Sequence, residues 1–251
     1  MLREETVFGP IHSRRLGNSL GINLLPTRGK LCTFDCIYCE CGWNKDGLND
    51  TYLPTAAEVR NKLEDKLKEC IANGTPIDSI TFSGDGEGTL NPHFPQIIDN
   101  TLALRDKYFP QAKVSVLSNA TRVHVPEIFA ALCKVDNPIM KIDAPTNDLI
   151  KKINNPAPGY DIQQVVEALE KFNGNFVLQT MMLRSSNFDS SAPEVLNGWM
   201  NIVRHLRPRE IMVYTLDRPT PANNLQKFTE DQMRQMVKPL IDEGFKVQIK
   251  G

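Results

Sequence analysis

Short apolar runs alternate with longer amphipathic stretches along most of the chain. The run at 19–25 reads as a buried strand, broken by Pro26. The strand pattern returns at 77–83, 113–118, 138–143, 176–183, 211–215 and 245–249. Between these runs, apolar positions spaced for a helix occupy 95–104, 125–133, 162–172, 192–205 and 229–241. A first long helix should start after Thr55, a good N-cap, with Val59, Leu63 and Leu67 on one face. Regular strand–helix alternation implies βαβ units, right-handed crossovers and a parallel sheet. Six such units and a final strand are too few for a closed eight-unit barrel, which takes roughly 250 residues without the loop at 32–54. The expectation is an α/β fold, a partial, open-sided (β/α)6 barrel. It should form a single domain over 1–251, with 1–54 as lead-in strand, loop and connection and 55–251 as the remaining units.

Two stretches break the alternation. Residues 9–17 are rich in turn formers and contain Arg14 and Arg15, either a solvated turn or an anion site. Residues 42–50 are polar and glycine-containing, a connection suited to cover a substrate, with Trp43 as its one large aromatic. Between them lies Cys32-Thr-Phe-Asp-Cys36-Ile-Tyr-Cys39, the spacing C-x3-C-x2-C. Three thiolates can hold three corners of an iron–sulfur cube and leave one iron open, as catalytic metal sites keep an open position. Zinc, with Cys41 as fourth ligand, is the competing reading. Disulfides fit poorly, because six cysteines in 251 residues come without a secretory signal. Cys70 and Cys133 sit in apolar helical patterns, where a buried, inert thiol is expected.

Composition narrows the picture modestly. Twenty-nine basic and 30 acidic residues give a formal charge of −1, so no global nucleic-acid signature exists, although a local basic patch stays compatible. No run has the length of a membrane-spanning helix and the N-terminus lacks a signal-peptide core. A cytoplasmic protein, with no membrane partner and of undetermined oligomeric state, is expected.

In parallel α/β folds, sites gather at the C-terminal ends of strands. One run ends in Gly84-Asp85-Gly86-Glu87, where glycines allow close backbone approach and Glu87 can receive an ammonium group; a plain turn is the alternative. The next ends in Ser118 and Asn119, suited to ribose hydroxyls or to capping a helix. Lys141 and Asp143 share one strand face, as a structural ion pair or a proton-transfer couple. Gln179 interrupts an apolar run and needs a partner if buried. Arg184, Asp217 and Arg218 close two further strands.

CTFDCIYC resembles the cluster motif of the radical S-adenosylmethionine (SAM) superfamily, including the aromatic Tyr38 before the last cysteine. GPIHSRRLGNSLGIN and YTLDRPTP resemble a largely uncharacterised group related to the wyosine-base tRNA synthases. The resemblance implies a radical-SAM-type partial barrel with a [4Fe-4S] cluster on Cys32, Cys36 and Cys39. SAM would bind the open iron and be cleaved to a 5′-deoxyadenosyl radical that abstracts hydrogen. It further implies that Tyr38, Gly84, Asp85, Gly86, Glu87, Ser118, Asn119 and Gln179 surround SAM. Gly88 departs from the proline that relatives often carry after the glutamate. Lys141 and Asp143 are the catalytic candidates; Arg14, Arg15, Arg184, Asp217 and Arg218 are the substrate-side ones. A low-potential donor of flavodoxin or ferredoxin type would supply the electron. An anionic substrate is expected, either tRNA or a protein. The alternatives are a small-molecule radical enzyme and a non-catalytic iron–sulfur or zinc module.

Overall fold

A computed structural model describes residues 2–13, 16–47 and 50–251. Contacts divide the chain into two compact units. The first is Met1–Cys32, Asn44–Ser118 and His124–Pro138; the second is Thr33–Trp43, Asn119–Val123 and Ile139–Gly251.

The first unit contains β1 (Val7–Ser13), β2 (Gly17–Ile22), α1 (Ala56–Ala72), β3 (Ser79–Phe82), α2 (Phe94–Tyr108), β4 (Lys113–Ser118) and α3 (Pro126–Lys134). Its strands run in the order β1-β2-β3-β4, with β1 antiparallel to β2 and the others parallel. The helix expected after Thr55 is α1. Thr55 and Glu58 form a reciprocal capping box, and Val59, Leu63 and Leu67 are buried. The core buries Leu20, Ile80, Phe82, Phe94 and Ile97, and the Phe94 ring meets that of Phe82 edge-on at 6.2 Å.

Two expectations need correction here. The turn-rich stretch from residue 9 belongs to a strand: β1 pairs with β2 through a register irregularity between Phe8 and Ile11, which obscures the alternation a strand would show. Cys70 is buried as expected, but Cys133 is exposed. The buried face of α3 carries Ile128, Ala131 and Leu132, and the next position turns about 100° away from that face.

The second unit contains β5 (Asn137–Lys141) from Ile139 onward, α4 (Asn147–Asn154), α5 (Ile162–Glu170), β6 (Val177–Met181), β7 (Leu183–Arg184), α6 (Pro193–Leu206), β8 (Glu210–Tyr214), β9 (Gln226–Lys227), α7 (Glu230–Asp242) and β10 (Val247–Lys250). Its main strands are parallel in the order β5-β6-β8-β10. The run at 176–183 is not one strand, because after Met181 the chain leaves the sheet and Leu183–Arg184 pairs with β9. Helix α4 was not anticipated. Thr146 caps it through the Leu149 N–H, and Asn155 closes it in the left-handed region at φ 39°.

Candidate functional site

In the first unit, Gly84 to Glu87 follow β3 and press against the residue before Cys32. The Leu31 N–H donates to the Asp85 carbonyl at 2.9 Å, and the Glu87 N–H to the Leu31 carbonyl at 3.0 Å. A Cβ on Gly86, whose φ is +141°, would stand 1.9 Å from the Leu31 carbonyl oxygen. One on Gly84 would stand 2.1 Å from Asn23 Oδ1. The chain's own packing therefore requires both glycines, with or without a ligand. Asp85 is fully buried and accepts from the Arg3 N–H at 2.8 Å and Asn23 Nδ2 at 2.9 Å. Glu87 Oε1 accepts from the Thr89 N–H at 3.2 Å, Thr89 Oγ1 at 2.6 Å and Ser118 Oγ at 3.0 Å. Ser118 thus holds the carboxylate rather than capping a helix. The Cys32 carbonyl accepts from Asn44 Nδ2 at 3.2 Å.

The second unit holds the rest of the cysteine loop. The Cys39 N–H turns back to the Cys36 carbonyl at 3.1 Å, and the Gly42 N–H to that of Cys39 at 3.0 Å. Asn119 Nδ2 donates to Thr33 Oγ1 at 2.8 Å, and its Oδ1 accepts from the Thr121 N–H and hydroxyl. Asn119 steadies the start of this segment.

Around Cys36 lies a buried polar cluster. The Tyr38 hydroxyl donates to Asp143 Oδ2. Asn154 Nδ2 lies 2.7 Å from that oxygen, 3.1 Å from the Tyr38 hydroxyl and 3.3 Å from Cys36 Sγ. Asp143 Oδ1 accepts from the Met181 N–H at 2.8 Å and faces Lys141 Nζ at 3.4 Å. Lys141 Nζ donates to the Tyr214 hydroxyl at 2.6 Å and sits 5.1 Å from the Tyr38 ring centre. Burial opposes the charge on Lys141, but Asp143 and Tyr214 outweigh it and hold its pKa above the ordinary lysine value. Burial, reinforced by Asp143, pushes the Cys36 thiol up to about 11, against the donor from Asn154. Gln179 is buried on β6, beside Lys141 in the strand register. Asn154 and Tyr214 escaped the sequence reading. Tyr214 sits at a strand end, the signal that drew attention to its neighbours, whereas Asn154 ends a helix that was not anticipated.

The arginines fall out differently. Arg14 and Arg15 lie outside the described residues. Arg184 pairs with Asp189 at 2.9 Å and stacks on Phe228; Arg218 pairs with Glu40 at 2.7 Å. Asp143 pairs with Lys141, the structural ion pair that was one of the two expectations for these residues. Arg184 and Arg218, expected on the substrate side, are thus each paired with an acid of the chain. Asp217 lies beyond the end of β8.

None of the six cysteines is in a disulfide. Among the described residues, no three His, Cys, Asp or Glu side chains converge on a point that could hold a single metal ion. Asn154 Oδ1 is also buried without a protein partner, an acceptor left for a ligand's donor. The donor set, the sheltered loop and an amide beside Cys36 Sγ fit an iron–sulfur cluster. Among the described residues, no helix is long and apolar enough to cross a membrane.

The model of the radical SAM superfamily matches residues 27–190. The chain belongs to that superfamily, and so to a class of enzymes. It is 30% identical to the UPF0026 protein slr1464 of Synechocystis over 89% of this chain and 79% of that one. It is 29% identical to a Brachyspira hyodysenteriae protein named GTPase Obg, over 99% of this chain and 35% of that protein. The chain thus spans about a third of that relative's length. Among solved structures, a radical SAM methyltransferase from Sphaerobacter thermophilus superposes on 92% of this chain and 65% of its own, with TM-score 0.69 at 15% identity. That likeness gives the fold, an α/β partial barrel of the radical SAM type.

Proposed function

We propose that Cys32, Cys36 and Cys39 bind a [4Fe-4S] cluster, that SAM binds beside it, and that the enzyme abstracts hydrogen from an anionic macromolecule. What carries the reading is the superfamily match over 27–190, which encloses three cysteines spaced C-x3-C-x2-C, none of them in a disulfide. When bound, the cluster would supply the one electron that cleaves SAM to methionine and a 5′-deoxyadenosyl radical. The chain's own residues bind, orient and exclude water. Gly84 and Gly86 keep the loop over Leu31 low, and Asp85 and Glu87 give it charge. Tyr38, Ser118, Asn119 and Gln179 complete the set assigned to SAM. Lys141 stays protonated between Asp143 and Tyr214, which does not suit it to accepting a proton.

The substrate proposed is tRNA or an acidic protein, with a flavodoxin- or ferredoxin-type electron donor. Its support is the similarity of GPIHSRRLGNSLGIN to the tRNA-synthase-related group. The paired Arg184 and Arg218 no longer argue for it. Anaerobic reconstitution tests the chemistry. Iron, sulfide and, with SAM and dithionite, 5′-deoxyadenosine should appear, be lost in Cys36→Ser and persist in Cys41→Ser. Loss on Cys41→Ser with retention on Cys36→Ser would overturn the ligand set. Binding to tRNA should weaken steeply with salt, as counterion release requires.

A further inference from the structure

The cysteine loop is strapped to the C-terminal end of α4 by main-chain hydrogen bonds. The Ile37 N–H reaches the Ile153 carbonyl at 3.0 Å. The Asp35 N–H reaches those of Asn154 at 2.9 Å and Asn155 at 3.2 Å, and the Ala157 N–H returns to Thr33 at 2.7 Å. Asn154 stands at this junction, 1% exposed, with its side-chain amide directed at Cys36 Sγ, Asp143 and the Tyr38 hydroxyl. An amide NH2 carries two hydrogens. The shortest contact, 2.7 Å to Asp143 Oδ2, commits one of them. The other is shared between Cys36 Sγ at 3.3 Å and, at 3.1 Å, the Tyr38 oxygen, which accepts because that hydroxyl spends its own hydrogen on Asp143; a negatively charged thiolate is the stronger acceptor of the two. Flipping the amide would set its oxygen against the carboxylate, so Asp143 dictates which atom faces the thiol. Asp143 is itself anchored by the Met181 N–H.

We propose that Asn154 is a positioning residue that donates a hydrogen bond to the Cys36 thiolate and thereby raises the reduction potential of the cluster held there. The inference rests on Cys36 being a cluster ligand. Reduction adds negative charge that spreads onto the sulfurs, and a donor to sulfur stabilises the reduced form more than the oxidised one. Hydrogen bonds to charged groups are worth enough to shift the one-electron equilibrium about tenfold. For one electron that is ~59 mV.

The test is a redox titration of reconstituted holoprotein, followed by electron paramagnetic resonance. Asn154→Leu should move the midpoint about tenfold in equilibrium, ~59 mV, to more negative potential. Asn154→Gln, which keeps an amide donor, should recover part of the shift. A midpoint in Asn154→Leu equal to that of the wild type would overturn the assignment while leaving the cluster in place. A wild-type protein that takes up no iron would overturn the proposed function instead. Should Asn154→Leu load no cluster, the reduced wild-type cluster decides, in protein carrying 15N in its asparagine side-chain amides. A weakly coupled side-chain nitrogen supports the bond, and absence of coupling overturns it.

Discussion

Asp85 and Glu87 in the first unit meet main-chain N–H groups, one amide and two hydroxyls. Asp143 in the second meets a lysine, a phenol, an amide and a main-chain N–H. Burial makes a carboxylate costly in both places, and both are compensated, with different means. The donors described around Asp85 and Glu87 fix the shape of a loop. Around Asp143 the partners are themselves titratable or touch a cysteine, so the cluster there can respond to charge placed on that sulfur. The first region is a cradle made by backbone fit and the second an electrostatic assembly.

The comparison breaks most sharply on the backbone side. Gly86→Ala should cost about 4 kcal/mol in urea unfolding, summing a forced contact with the Leu31 carbonyl and an unfavourable φ. Gly88→Ala, where a Cβ would meet nothing within 4 Å, should change stability by less than ~0.5 kcal/mol. Equal costs at the two positions would remove the claim that packing demands Gly86. Next in size, Asp143→Ala strands a largely buried lysine cation and should cost about 3 kcal/mol. Glu87→Gln keeps an acceptor for Thr89 and Ser118 and should cost only ~1 kcal/mol by the same denaturant measurement. A reversed order would mean that the two carboxylates are not held as described.

The smallest effect concerns pH and lies in the first unit. Burial pushes Asp136 up, but the Val114 N–H and Arg105, 2.7 Å away, bring it below the ordinary aspartate value of 3.8. A carboxyl lowered on folding adds stability that is full above its unfolded pKa and lost as pH falls through the folded one. Acid unfolding followed by circular dichroism should therefore steepen below about pH 3.8. Asp136→Asn should flatten that limb of the curve while leaving the response of Asp143 variants unchanged.

Much of this was legible in the chain. The strand at 113–118 coincides with β4, and the other main strands and long helices lie within a few residues of their expected places. What escaped depended on short elements or distant partners. Helix α4 has only eight residues, yet Thr146 before Leu149, Ile150 and Ile153 is a cap followed by an apolar face, a signal that was present. Strand β1 hid behind Gly9, Pro10 and an irregular register. The three cysteines announced themselves through spacing. Asn154 could not, because 118 positions separate it from Cys36 and only folding joins them. The glycines of 84–87 were readable as a loop allowing close approach, but that Leu31 approaches them is knowledge of tertiary structure.

The strap between residues 33–37 and 153–157 has a consequence for how the protein is made. Its hydrogen bonds run between main-chain atoms and draw nothing from metal. Small zinc domains, by contrast, are unfolded until their ion arrives. This segment should take its shape during synthesis, so that a cell short of iron accumulates a standing pool of shaped, fillable apoprotein. Amide hydrogen exchange checks the idea: Asp35 and Ile37 should be as protected in metal-free protein as in loaded protein, and rapid exchange there would mean that assembly machinery must mould the segment as it delivers its cargo.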